Sequence, residues 1–335
     1  MITIREVAER AGVSPMTVSR VINRSGYISP ATRERVEAAI AELGYMPNAL
    51  ARSLRFKQTH SLALVVTDIT NPFFTTIARG VEDVANQRGF SVIFCNTDES
   101  EAKQVEYLNV LVRKQVDGVL LVPARSTDEP IHFLNRRQVP VVVLDRRVSS
   151  CIVDSVRGDS EGGAYALMRL LLELGHRRIA LLNGPAEVST AVDRLAGYRR
   201  ALADAGLACD ERLIFPGQFT LEAGRRMAQE ALALSPRPTA LFATNNFIAI
   251  GAYRALREAG LAVPDDISLV AFDDLPSALM LEPFLTVVSQ PAYEMGRRAT
   301  ELLLDRLAGA APADCQEIVL PCEVIVRRST GPAPS

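Results

Sequence analysis

The 335-residue chain has no tryptophan, three histidines and five cysteines, and each scarcity removes a class of function. Cys95, Cys151, Cys209, Cys315 and Cys322 are odd in number, scattered and without a CxxC pair. They read as reduced thiols, not as a disulfide frame or a zinc site. His60, His132 and His176 share no ligand spacing, so neither a metal centre nor a cofactor is expected. No apolar run approaches the ~20 residues that cross a bilayer, and Met1–Glu6 lacks the basic and apolar regions of a signal peptide. The expectation is a cytoplasmic protein with no membrane partner. Neither GxGxxG nor GxxxxGK[ST] occurs, and no nucleophile set is visible, which disfavours an enzyme. Lysine is almost absent (Lys57, Lys103, Lys114) while arginine is abundant; this bias runs along the whole chain and reflects genome composition.

What remains is the composition of a globular protein, 48% apolar and 23% charged, too long for one ordinary core. Its charge is unevenly placed. Residues 1–60 carry nine Arg/Lys against five Glu, a surplus of four, so the rest of the chain holds −6 of a total of −2. A basic head on an acidic body suits a protein that meets phosphates at one end only.

That head begins IREVAERAGVSPMTVSRVIN, residues 4–23. Ala8 is small where two helices cross, Gly12 suits a left-handed turn, and Val13, Val18 and Val21 give the packing faces. Ser14 is placed to cap a second helix, with Pro15 at its first position. Met16, Thr17 and Arg20 then face outward near the start of a helix of the kind that enters a major groove. Ser29-Pro30 repeats the cap-and-proline device, and Val36, Ile40 and Leu43 recur at helical spacing before Gly44. Residues 1–46 read as an all-α helix-turn-helix headpiece, followed over 47–60 by a short helix-capable run, ALARSLR, and a polar linker.

From Ser61 onward, continuously apolar runs alternate with helical patterns. The runs are Leu62–Thr67, Val92–Asn96, Val119–Val122, Val141–Leu144, Ile179–Asn183, Ala240–Thr244, Leu269–Phe272 and Thr286–Ser289. Apolar runs of this kind are strands buried on both faces, and the alternation predicts doubly wound parallel sheets. A break at 155–163 divides the body into two similar lobes. Ligands in such sheets sit beyond the carboxyl ends of the strands. There the chain places Asp68, Asn71, Phe73, Phe74, Asn96, Asp98, Asp145, Asn245, Asn246, Asp273, Asp274 and Gln290. Any one of these could simply cap a helix. Their convergence predicts a polyhydroxylated ligand, with acceptors for its hydroxyls and rings for its C–H face.

Thr17–Asn23 (TVSRVIN) and Tyr45–Leu54 (YMPNALARSL) resemble the signature of the LacI/GalR (lactose-repressor/galactose-repressor) family of transcriptional regulators. The body resembles that family's effector-binding core through GHRRIALLNGP (175–185), DRLAGYRRAL (193–202), PDDISLVAFDD (264–274) and LTVVSQP (285–291). The resemblance implies two lobes of periplasmic-binding-protein type closing on a small effector, about 61–160 with 291–318 and about 161–290 with 319–330 of a core at 61–335. It implies a homodimer on palindromic double-stranded operator DNA, contacted by Pro15, Met16, Thr17, Ser19, Arg20 and Asn23 and by the hinge residues Asn48, Ala51, Arg52 and Leu54. Leu54 matches a leucine that wedges into the minor groove. Effector contacts carry over to Phe73, Asp145, Arg194, Phe219, Asn245, Asp273 and Gln290, beside the strand-end residues Asn71, Phe74 and Asp98. The chain departs from many relatives at Asn245-Asn246, where they carry Asn-Asp. The function implied is repression of a carbohydrate-utilisation operon with a sugar or sugar-derivative effector. A purine or nucleoside effector, or a free-standing ligand-binding protein, are the alternatives.

Overall fold

The structure, a computed structural model, describes residues 2–23, 25–46, 58–148, 153–275 and 283–334. The chain divides into two compact units, Met1–Thr59 and His60–Ser335. The hinge residues Asn48, Ala51, Arg52 and Leu54 lie outside the described residues.

The first unit holds α1 (Ile4–Ala11), α2 (Pro15–Ile22) and α3 (Pro30–Leu43). Local chemistry sets each boundary. Thr3 and Glu6 form a reciprocal capping box at α1, and Gly12 ends that helix at φ 64°. The Ser14 hydroxyl accepts the Thr17 N–H at 3.2 Å, with Pro15 at the first helical position. Val7, Ala8, Ala11, Val18, Val21, Val36 and Ala39 form a small buried core. The Arg10 guanidinium donates to Glu42 at 2.8 Å, tying α1 to α3.

The second unit contains, in chain order, β1 (Ser61–Val66), α4 (Pro72–Gln87), β2 (Ser91–Asn96), α5 (Glu101–Arg113), β3 (Gly118–Leu121), α6 (Glu129–Asn135), β4 (Val141–Leu144), β5 (Asp154–Gly158) and α7 (Ser160–Glu173). It continues with β6 (Ile179–Asn183), α8 (Ser189–Asp204), β7 (Ile214–Pro216), α9 (Leu221–Leu232), β8 (Ala240–Ala243), α10 (Asn246–Glu258), β9 (Ser268–Phe272), β10 (Thr286–Ser289), α11 (Ala292–Leu307), β11 (Glu317–Leu320) and β12 (Glu323–Ile325). Two six-stranded sheets result, ordered β11-β5-β4-β3-β1-β2 and β12-β10-β9-β8-β6-β7. The first is parallel throughout, whereas β12 runs antiparallel to β10 at the edge of the second.

Sheet membership shows that the chain passes between lobes three times, after β5, after β10 and after β11. Helices cover both faces of each sheet: α4 and α11 opposite α5 and α6 in the first lobe, α9 and α10 opposite α7 and α8 in the second. The central strands are buried from end to end but for the first residue of β1, which is why they read as unbroken apolar runs. Helices α4 and α11 cross where Gly80 and Gly296 face each other's backbones. A Cβ on Gly80 would lie 2.2 Å from the Tyr293 carbonyl oxygen, and one on Gly296 would lie 2.1 Å from that of Ile77.

Candidate functional site

The two lobes enclose a cleft of about 430 Å³, and the carboxyl ends of both sheets face it. The first lobe contributes Thr67, Asp68, Thr70 and Asn71 after β1, Phe73 and Phe74 from the first turn of α4, Asp98 and Glu99 after β2, and Asp145 and Arg146 after β4. The second contributes Thr190 and Arg194 from α8, Gln218, Phe219 and Thr220 after β7, Asn245 and Phe247 after β8, and Asp273 after β9. Of the expected effector contacts, only Gln290 is not on this wall. Its Nε2 donates to Asp273 Oδ1 at 2.7 Å, so it holds a wall residue in place.

The backbone turns sharply at the four carboxylates Asp98, Glu99, Asp145 and Asp273, whose φ angles are 51°, 57°, 63° and 69°. Left-handed conformations at residues other than glycine are costly and persist where the surroundings enforce them. Here they let the chain leave a strand and still aim an acid into the cleft.

Arg146 is 2% exposed and knits the first-lobe wall together. It donates to Glu99 Oε2 and Oε1 at 2.7 and 2.6 Å, and to the carbonyls of Pro123 and Ala124 at 2.9 and 3.0 Å. Arg194 is 3% exposed, stacked 3.8 Å from the centroid of Phe272, and donates to the Thr244 carbonyl at 2.6 Å. Asp273 is its nearest carboxylate, at 3.9 Å. Both arginines therefore stand oriented but without saturated donors: Arg146 Nε and Arg194 Nε have no hydrogen-bond partner, and neither do Asp145 Oδ1, Thr67 Oγ1 or Gln290 Oε1. Burial pushes Asp145 up from 3.8 to about 6, aided by the Asp273 and Glu99 charges and opposed by Arg194 and Arg146. Burial likewise raises Asp273, against the pull of Arg194 and the Gln290 hydrogen bond.

Thr67, Thr70, Glu99, Arg146, Thr190, Gln218, Thr220 and Phe247 were not expected from the sequence. Glu99 and Arg146 directly follow strand-end residues that were, so the signal was adjacent. Thr190 and Gln218 carry none. Asn246 is not on the cavity wall; it pairs with Asn71.

In the headpiece, Pro15, Met16 and Arg20 are exposed on α2, and Thr17, Ser19 and Asn23 are half-buried. Thr17 Oγ1 lies 3.0 Å from Ser14 Oγ, and Asn23 Nδ2 donates to the Ser19 carbonyl at 2.8 Å.

Residues 3–48 match the family described as bacterial regulatory proteins, lacI family, and residues 168–330 match the periplasmic binding protein-like domain. The HTH-type transcriptional repressor PurR of Vibrio atlanticus is 38% identical over 308 residues, covering 92% of each chain. The chain belongs to the LacI family of bacterial regulatory proteins. Among solved structures, the lac repressor dimer bound to operator and the anti-inducer ONPF superposes with a TM-score of 0.86 at 31% identity, covering 98% of this chain and 99% of that one. The transcriptional regulator CelR–cellobiose complex gives a TM-score of 0.75 at 37% identity, covering 98% and 100%. The protein is an effector-binding, DNA-binding transcriptional regulator and not an enzyme. No helix among the described residues is long and apolar enough to cross a membrane.

Proposed function

We propose that this regulator represses a carbohydrate-utilisation operon in the cytoplasm, and that an uncharged sugar or sugar derivative in the cleft sets its affinity for a palindromic operator. One observation carries the effector reading. Asp145 and Asp273, one from each lobe, are both buried near Arg194, and polar atoms around them lack partners. Hydroxyl groups can donate to the carboxylates and accept from the arginines, while Phe73, Phe74, Phe219 and Phe247 cover the C–H face. Asp68, Asp98, Glu99, Asp145 and Asp273 outnumber Arg146 and Arg194 on the wall, which opposes a phosphorylated or carboxylated effector. The four phenyl rings also suit a flat purine base, the second reading that the site supports.

On DNA, Arg20 is assigned to a guanine O6/N7 edge and Met16 to an apolar base contact. Thr17 and Ser19 are assigned to phosphates, and Pro15 and Asn23 to the same DNA-facing surface. Asn48, Ala51, Arg52 and Leu54 are assigned to the hinge, with Leu54 as the minor-groove wedge. Effector binding changes lobe closure and, through the hinges of the dimer, operator affinity.

A thermal-shift screen of the full chain over neutral sugars, sugar acids, nucleosides and bases tests the effector class. A neutral sugar should raise the melting temperature, and Asp273→Ala should abolish the shift. Stabilisation by a purine base alone would replace the sugar reading, and stabilisation by sugar acids alone would defeat the charge argument.

A further inference from the structure

We infer that Asn71 and Asn246 are positioning residues of the effector switch: a reciprocal amide pair that fixes the register in which the two lobes close. Asn71 caps α4 in the first lobe, and its Oδ1 accepts the Phe73 N–H at 3.0 Å. That bond fixes which end of the amide faces its own helix. The Asn71 Nδ2 donates to Asn246 Oδ1 at 3.2 Å, and the Asn246 Nδ2 donates back to Asn71 Oδ1 at 2.9 Å. In the second lobe, capping of α10 is done by Asn245, whose Oδ1 accepts the Ile248 N–H at 2.8 Å. Asn246, the first residue of α10, is thereby freed to reach across the cleft.

The two amides are 5% and 0% exposed, so closure buries both. Buried amides are tolerated only when hydrogen-bonded, and this pair satisfies its groups only when the first turns of α4 and α10 meet in register. A lobe displaced by one or two ångströms would leave both Nδ2 donors and the Asn246 Oδ1 acceptor without these partners, while Asn71 Oδ1 keeps the Phe73 N–H. The pair therefore makes closure a definite state. It is also neutral: a carboxylate at 246 has no N–H to return to Asn71 Oδ1, whose orientation the Phe73 bond has already set.

Contacts between other segments of the two lobes supply independent reporters. Three amides donate between the lobes there: Ser126 N–H to the Glu187 carbonyl at 3.1 Å, Ser189 N–H to Ser126 Oγ at 2.8 Å, and Arg147 N–H to Ser189 Oγ at 2.8 Å. None touches Asn71 or Asn246. If the amide pair holds the lobes, its loss speeds exchange at these amides of other segments; if it only supports two helix ends, exchange changes only near 71–75 and 246–249.

The inference rests on the cleft being the effector site, but its test needs neither effector nor DNA. Native-state hydrogen–deuterium exchange is measured on the full chain and on Asn246→Ala, which leaves the Asn245 cap in place, and Asn71→Ser, which keeps a capping hydroxyl too short to cross the cleft. Two neutral hydrogen bonds shift an opening equilibrium by about 5- to 160-fold. Each variant should accelerate exchange at Ser126, Arg147 and Ser189 within that range, and the double variant should accelerate it no further, because both remove one shared interaction. Unchanged exchange at those three amides in either folded variant would overturn the latch. Faster exchange there without any effector in the screen would keep the latch and remove the sugar reading.

Discussion

Asp145 shows why the cleft is costly to build and useful once built. Its carboxyl is raised to about 6 by burial, so the folded state holds this proton more tightly than the unfolded chain does. The associated stability is fully present below about pH 4 and is lost as pH rises through 6. Asp145→Asn, a neutral isostere, should therefore be more stable than the parent above pH 6 by up to about 3 kcal/mol. The difference should vanish below pH 4, and effector stabilisation should be lost; equal stability at pH 8 would mean that this acid pays no desolvation penalty. In the headpiece, Arg20→Ala should cost roughly 1–3 kcal/mol of operator binding and relax base choice at one position per half-site. Equal losses on operator and random DNA would make Arg20 a phosphate contact. Asp145, Arg194 and Asp273 were legible in the sequence because strand ends and the DRLAGY and AFDD segments mark them. Glu99 and Arg146 were passed over because each sits one residue beyond the acid that was singled out, Asp98 and Asp145. Gln290 was read as an effector contact, and its hydrogen bond to Asp273 is a feature of packing that the sequence does not show.

At the scale of elements, the buried central strands announced themselves, and β5, β7, β11 and β12 did not. β5 reads DSVRG and alternates buried with half-buried residues, because its neighbour β11 is a half-exposed edge strand. β7 is three residues ending in proline, and β12 is an edge strand whose antiparallel pairing no apolar run could signal. The headpiece helices were legible because their boundaries are chemical: Ser14 and Ser29 each cap a helix that begins with proline. Helix contact depends on smaller signals still. Gly80→Ala would force a methyl against the Tyr293 carbonyl and should destabilise the body by about 2 kcal/mol. Denaturant melting should register that loss while the headpiece keeps its helical signal; an unchanged midpoint would show that α4 and α11 can separate freely.

Over the whole molecule, a headpiece region with a basic surplus joins a body of net −6. Operator affinity should fall steeply with salt, since the arginine surplus of residues 1–60 displaces counterions from the DNA phosphates, whereas uncharged-effector affinity should barely change. Sedimentation should give twice the chain mass of 36.5 kDa, as two headpieces are needed to read a palindrome. The central claim is that occupancy of the interlobar cleft is transmitted to DNA. Its most direct test is an operator-binding titration with and without the neutral sugar found by screening, on the parent protein and on Arg194→Ala. The account predicts that the sugar changes operator affinity at least tenfold in the parent and leaves Arg194→Ala, with its ligand-free operator affinity intact, unaffected. A variant that responds to the sugar as the parent does would contradict it.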